Sequence, residues 1–431
     1  MKLFKIYFVN IFASLKERNF RLYFIGMSIS LNGTWIQNVA LGWMVYSLTG
    51  SLVLLSASTF MAQIPNFFVT PFASILIDRF DRKKLLLVTQ SIAALQALAL
   101  AALALTNTIQ IWHILLLSLC LGLANSLDIP TRQAFYPSLV PKEKLGNAIA
   151  LNSTVINAAK LFGPAIGGVV VKFFGEGICF LVNGLSFAGV IIPLLMMRGV
   201  PNPIPKVKKS SVTVDLKEGF NYVKSNRPIR NLLLLLSCTS LFGLPLMTYI
   251  PAFVKDILHG DSMMQSLLYG GVGAGAVLAS IVLAVRKTPL GLGHFAACSG
   301  LALGAALVVL SNVTSPIISA ILCMPIGFGV IANVAAINTV IQHLSSEDKR
   351  GRVMGYLSMA FNGLAPISGL MLSGLRAHVG LEGILALCGS GVVIGGVWFL
   401  TRCRKMMSLA SDTYINKGIL ARDVNVNKVR F

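Results

Sequence analysis

A chain of 431 residues with 55% hydrophobic residues, only 12% charged residues and a mean hydropathy of +0.77 cannot cover itself in water. Soluble domains carry about 25% charge, so lipid must be the solvent for most of this surface. The net charge of +21 does not indicate nucleic acid. A nucleic-acid binder gathers Lys and Arg on one solvated face with aromatics for stacking, whereas here they cluster in short stretches between apolar runs, as in cytoplasmic membrane loops.

The chain opens on a basic arm, 1–19, in which Lys2, Lys5, Lys16 and Arg18 precede the first apolar run. No apolar h-region with a small-residue cleavage site follows, so the arm reads as a cytoplasmic segment lying on the membrane rather than a signal peptide. Crossing about 30 Å of hydrocarbon takes roughly 20 apolar residues in a helix. That ruler finds six runs in 20–197: 20–46, 52–77, 85–106, 111–134, 145–173 and 177–197. Six more fall in 230–402: 230–255, 264–285, 289–310, 316–341, 353–375 and 383–402. Between them lies a linker, 198–229, with Pro201, Pro203, Pro205, Lys206, Lys208 and Lys209. Within it Val214, Leu216, Phe220 and Val223 recur at helical spacing, which predicts a short surface helix. A polar tail, 403–431, ends the chain. The spacing thus predicts an all-α membrane protein of twelve transmembrane helices in two pseudo-symmetric six-helix bundles.

Orientation follows from the basic residues. With both termini cytoplasmic, 32 of the 36 Lys and Arg fall in cytoplasmic segments, leaving Lys160, Lys172, Lys255 and Arg376. The positive-inside rule therefore predicts a multi-pass protein with both ends in the cytoplasm. The two halves also repeat. LVPKEKLGNAIA leads to NAAKLFGPAIGG in the first, and HLSSEDKRGRVMG leads to AFNGLAPISG in the second, with Pro164 and Pro366 in matching places. Duplicated six-helix units are the mark of many secondary transporters.

Polar side chains inside the runs are candidates for a pathway. On the first run Ser28, Asn32, Trp35, Trp43 and Tyr46 share a face. Ser358 with Asn362, and Asn333 with Asn338, add amides and hydroxyls in the second half. Such sets suit a moderately polar organic solute, although each residue alone suits interhelical bonding better than ligand contact. Asp128 is the only carboxylate these boundaries place inside a span, and it shares a helix face with Asn125 and Arg132. Lys160 falls in mid-span, where an unpaired cation costs about 2.5–3.5 kcal/mol on insertion scales. It shares a face with Ser153, Asn157 and Pro164. A buried charge in a bundle faces a cavity or a partner, so Lys160 reads as an anionic-substrate contact or a gating charge. No phosphate loop, zinc-protease helix or nucleophile set is present, and the seven cysteines show no metal-ligand spacing. The reading is a non-enzyme without cofactor or metal.

The loop SILIDRFDRKK resembles the major facilitator superfamily signature, with Asp78, Arg79, Arg82 and Lys83 matching and Ser74 and Asp81 where glycines are usual. GPAIGG, with Gly163, Pro164, Gly167 and Gly168, resembles the helix-packing antiporter motif of exporters in that superfamily. Together with GTWIQNVALGWMVYSLTGS, DIPTRQAFYPSLVP and NAIALNS, these stretches look like the bacterial branch that includes the enterobactin exporter and drug and macrolide efflux proteins. That resemblance implies alternating access, export of a siderophore-like or drug-like molecule across the cytoplasmic membrane, proton coupling and a monomer. It implies that Asp78, Arg79, Arg82, Lys83, Asp128 and Arg132 form a gate, with Asp128 paired to Arg82. The chain departs from proton antiporters in having Ser118 nearest the place where they often carry an arginine. Lysophospholipid flipping, solute import, or a scaffold or sensor without transport are the alternatives.

Overall fold

The computed structural model describes residues 12–200, 212–286, 288–417 and 420. Most of the basic arm, the Pro- and Lys-rich part of the linker and the end of the tail lie outside the described residues. Among those described, every regular element is a helix. The first half holds α1 (Arg18–Thr49), α2 (Leu52–Arg79), α3 (Arg82–Leu105), α4 (Ile111–Phe135), α5 (Leu145–Ser186) and α6 (Ala188–Met196). The linker supplies α7 (Val212–Ser225), close to the surface helix expected there. Then follow α8 (Arg227–Cys238), α9 (Pro245–Asp256), α10 (Ser262–Val285), α11 (Leu292–Leu310) and α12 (Pro316–Leu344). Last come α13 (Glu347–Ser358), α14 (Leu364–Ser373), α15 (Arg376–Leu400) and a tail helix, α16 (Cys403–Asn416).

Nine helical stretches among the described residues are long and apolar enough to cross a membrane. One of them, Lys142–Met196, is 55 residues long, about 80 Å of helix at 1.5 Å per residue and far more than one crossing needs. It turns back at Gly175, whose φ of 78° is available to glycine without strain, and so supplies two crossings. A π-helical turn, Thr239–Gly243, joins α8 to α9, and another, Met359–Gly363, joins α13 to α14. With α1 and the α13–α14 pair, both of spanning length, the crossings reach twelve. Among the described residues the chain is all-α, with candidate crossings in both halves. Its exterior agrees: Phe68, Leu95, Phe173, Val285 and Met371 are all exposed, a placement that costs nothing against lipid tails.

Short connections are set by local chemistry. Gly50, left-handed at φ 59°, ends α1, and the Ser51 side chain accepts from the Leu54 amide to start α2. Asp81 caps α3 in the same way through the Lys84 amide. Asn226 caps α8 through the Ile229 amide at 3.2 Å.

The helices gather into two compact units, Met1–Lys208 with Gly260–Ser266, and Lys209–His259 with Leu267–Phe431. In the first, Phe20, Tyr23, Leu86, Phe135, Leu151 and Leu194 form a buried cluster that ties α1, α3, α4, α5 and α6 together at one end. Helices approach closely there: a methyl group on Gly26 would collide with the Gly189 carbonyl. In the second, Ile229, Leu236, Ile337, Val340 and Phe399 pack with Met406, Ala410 and Tyr414 of α16, so the tail helix is part of that core. Glu218 on α7 pairs with Lys349 and Arg352 of α13, which seats the linker helix on the same unit.

Candidate functional site

The α2–α3 connection places its basic side chains on the ends of other helices. Arg82 donates to the Ala134 carbonyl at 3.0 Å, in the last turn of α4. Lys83 donates to the Met197 carbonyl at 2.9 Å, just past α6. Both cations satisfy C-terminal carbonyls and sit at the negative ends of helix dipoles. Asp81, Arg82, Lys83, Phe135, Met197 and Val200 line a cavity of about 190 Å³ beside them. Arg79 is exposed at the end of α2, and the side chain of Asp78 lies outside the described residues.

Asp128 does not pair with Arg82 as the resemblance implied. It pairs with Arg132, one turn further along α4, while its other oxygen accepts from Thr89 at 2.9 Å and Gln90 at 2.8 Å. The i, i+4 partner is already on the same helix face, and Arg82 is held by the carbonyl of Ala134. Asp128 is 2% exposed, and its carboxylate meets Arg132, Thr89 and Gln90 in place of water. A cavity of about 50 Å³, enough for a water molecule or two, adjoins it and is lined by Ser30, Thr34, Thr89, Gln90 and Asn125. Further along the unit Asn183 donates to Gln37 at 2.8 Å and Gln37 donates to Gln96 at 3.2 Å, all three buried. Thr89, Gln90, Gln37, Gln96 and Asn183 were not singled out from sequence. Their signal was there: each is an amide or hydroxyl inside an apolar run, which must find a partner when buried.

α5 carries the second constellation. Gly163 lies against Trp35, and Gly167 against Ile36 and Val39, so the glycines seat α5 on α1. Gly168 faces Ser262 and Ser266 instead. Ser266 donates to the Pro164 carbonyl at 2.7 Å and Ser262 to the Gly168 carbonyl at 3.3 Å. Lys172 pairs with Asp261 at 2.9 Å, and Asp261 also accepts from the amides of Met263 and Met264. The Lys172 ammonium, together with those amides, holds the Asp261 carboxyl below the usual carboxylate range.

One face of α5 therefore changes character along its length. Ser153, Asn157 and Lys160 are exposed; Pro164, Gly167, Gly168 and Val171, within about 100° of the same face at helical periodicity, are buried. The boundary falls at Lys160. Pro164 has no N–H, so the Lys160 carbonyl four residues earlier loses its helical donor. On α1, Asn32 and Trp35 are half-buried, and Asn32 donates to the Ser28 carbonyl at 2.8 Å.

In the second unit Ser358 and Asn362 are exposed. Asn362 stands in the π-helical turn Met359–Gly363, and Ser240, in the turn Thr239–Gly243, donates to the Phe361 carbonyl at 2.7 Å. Such turns release backbone groups and recur at functional positions. Asn333 corrects the expectation made of it: it is fully buried and donates to the Ala296 carbonyl at 2.9 Å, tying α12 to α11. An amide in a packed seam is interhelical bonding and lines no accessible surface. Among the described residues no group of His, Cys, Asp and Glu could hold a metal ion.

Twelve crossings in two repeated halves, a basic loop after the second crossing and a glycine-rich fifth helix define a major facilitator transporter. The chain belongs to the transmembrane secretion effector family of that superfamily, which it matches over residues 9–428. It is 24% identical to the staphyloferrin A transporter of Staphylococcus aureus, covering 85% of this chain and 93% of that protein. It is 24% identical to the enterobactin exporter EntS of Salmonella typhimurium (88% and 91% covered) and 25% identical to the multidrug efflux pump Tap of Mycolicibacterium fortuitum (87% and 93%). Among solved structures, the nucleoside transporter NupG superposes with a TM-score of 0.64 at 13% identity, covering 95% of this chain and 100% of that one. A bacterial homologue of the iron transporter ferroportin does so with a TM-score of 0.66 at 17% identity, covering 89% and 98%. These likenesses establish the fold.

Proposed function

We propose that this chain is a secondary active transporter that exports a small organic molecule, siderophore-like or drug-like, across the bacterial cytoplasmic membrane by alternating access. In this reading both termini are cytoplasmic, the protein works as a monomer, and protons drive the cycle with Asp128 as the carrier. The observation that supports it is the divided face of α5. Ser153, Asn157 and Lys160 are accessible while the continuation of the same face is covered, as a pathway open from one side requires. A scaffold would bury that face along its whole length. Arg79, Arg82, Lys83 and Arg132, with Asp78 and Asp128, form the gate at the cytoplasmic ends of the helices; Asn32, Trp35, Asn157 and Lys160 are the pathway residues of the first unit, and Asn362 that of the second.

Mass spectrometry of culture supernatants from a deletion strain, grown with and without iron, tests the reading. A compound that disappears on deletion and returns on complementation supports export, and one that appears only without iron marks it as siderophore-like. Accumulation of no compound inside the deletion strain, with unchanged supernatants, would count against export. Asp128→Asn should abolish the dependence of export on the pH gradient in everted vesicles; unaltered dependence would remove Asp128 as the carrier.

A further inference from the structure

We infer that the exported molecule is an organic anion and that Lys160 supplies its counter-charge; this rests on the export reading above and narrows it to a substrate class. Asp128 is neutralised by Arg132, and Lys172 by Asp261. Lys160, midway along α5, has no acidic partner and no hydrogen bond among the described residues. It is exposed, so it has not been laid against a backbone carbonyl or folded into the packed seam with α1. A cation at membrane depth faces the bundle interior or a water-filled cavity, where an anionic ligand can meet it.

The repeat shows that packing does not demand the charge. The register that aligns Pro164 with Pro366 aligns Lys160 with Asn362, each four residues before its proline and each exposed. An uncharged amide satisfies that place in the second repeat, so the ammonium in the first serves something other than the helix bend. Its nearest neighbours on the face are Asn157 and Ser153, neutral groups that bond carbonyls and hydroxyls equally well. A single cation among neutral donors and acceptors fits an anionic group, such as a carboxylate, on a polar organic molecule. It repels a cationic solute.

The deletion strain carries the test. It is complemented with the wild-type chain, with Lys160→Arg and with Lys160→Met, at membrane levels matched by immunoblot. Each compound that tracks the gene in the supernatants is then assigned its charge at neutral pH by electrophoretic mobility. The expected compound migrates as an anion and returns with the wild type and, in part, with Lys160→Arg. With Lys160→Met its secretion falls at least about tenfold, the weight of one charged hydrogen bond. A gene-dependent compound that is neutral or cationic, or an anion secreted normally by Lys160→Met, overturns the inference and leaves export standing. Supernatants that never change with the gene remove export itself and this inference with it.

Discussion

Asp128 joins two helices of the first unit through a buried polar cluster. Its two oxygens take Arg132, Thr89 and Gln90, joining α4 to α3 at a place with 2% exposure. Asp128→Ala strands a guanidinium and two donors at once, and breaking a buried pair from one side costs about 3–5 kcal/mol. We expect its melting temperature in detergent to fall well below that of the wild type. The double variant Asp128→Ala with Arg132→Ala should recover part of the loss, because the uncompensated charge is gone. Equal loss in single and double variants would mean that the pair is not coupled. Sequence made Asp128 conspicuous as the one acid inside a span, but not its partner. A resemblance pointed to Arg82, the first residue of α3, whereas the side chain took the cation already on its own helix. Lys160 was equally legible, since a charge in mid-run stands out against any apolar background. Asn333 was not, because an amide that bonds a neighbouring helix and one that faces a pathway have the same sequence signature.

Helix α5 shows what glycines accomplish at the level of an element. Three of its small residues seat it on α1 or shape its bend, while Gly168 leaves room for Ser262 and Ser266 at the start of α10. Gly168→Ala would drive a methyl group into the Ser266 hydroxyl and the Ser262 carbonyl, and overpacking of this kind costs about 1–3 kcal/mol. Maleimide labelling of Ser266→Cys, slow in the parent because the position is buried, should accelerate when Gly168→Ala is added. Unchanged labelling would show that α5 accommodates the methyl by shifting elsewhere. The same segment should loosen in acid. The Asp261 carboxyl is held below its usual range by Lys172, so its contribution is present above the ordinary carboxylate value and is lost as pH falls through the lowered folded value. With 42% and 50% of the two side chains exposed, that contribution is small. Labelling of Ser266→Cys should therefore rise modestly on acidification in the parent and be flat with pH when Asp261→Asn is present. The motif itself was legible as a packing signal. Its contact with 262–266 was not, because two serines opening an apolar run have no periodicity that names a partner.

At the scale of the whole molecule, the apolar runs were readable one by one because a hydrocarbon solvent imposes a single length on every crossing. The π-helical turns Thr239–Gly243 and Met359–Gly363 could not be read, since they change backbone bonding without changing hydropathy. What hydropathy leaves open is which side is which, and there the charges give the expectation. Placing 32 of the 36 basic residues in cytoplasmic segments leaves four on the other side or within a span. Two of those four, Lys172 and Arg376, have acidic partners in Asp261 and Asp256, which is how a basic residue is retained where the rule disfavours it. The inverted topology would instead carry the Lys206, Lys208 and Lys209 cluster and the basic tail outward, against the positive-inside bias. Reporter fusions after Lys209 and at the tail should both report cytoplasm, and fusions near His259 and Asn312 should report the outside. A periplasmic signal from the Lys209 fusion would place an odd number of crossings in the first half, and a twelve-crossing duplicated transporter would no longer describe this chain.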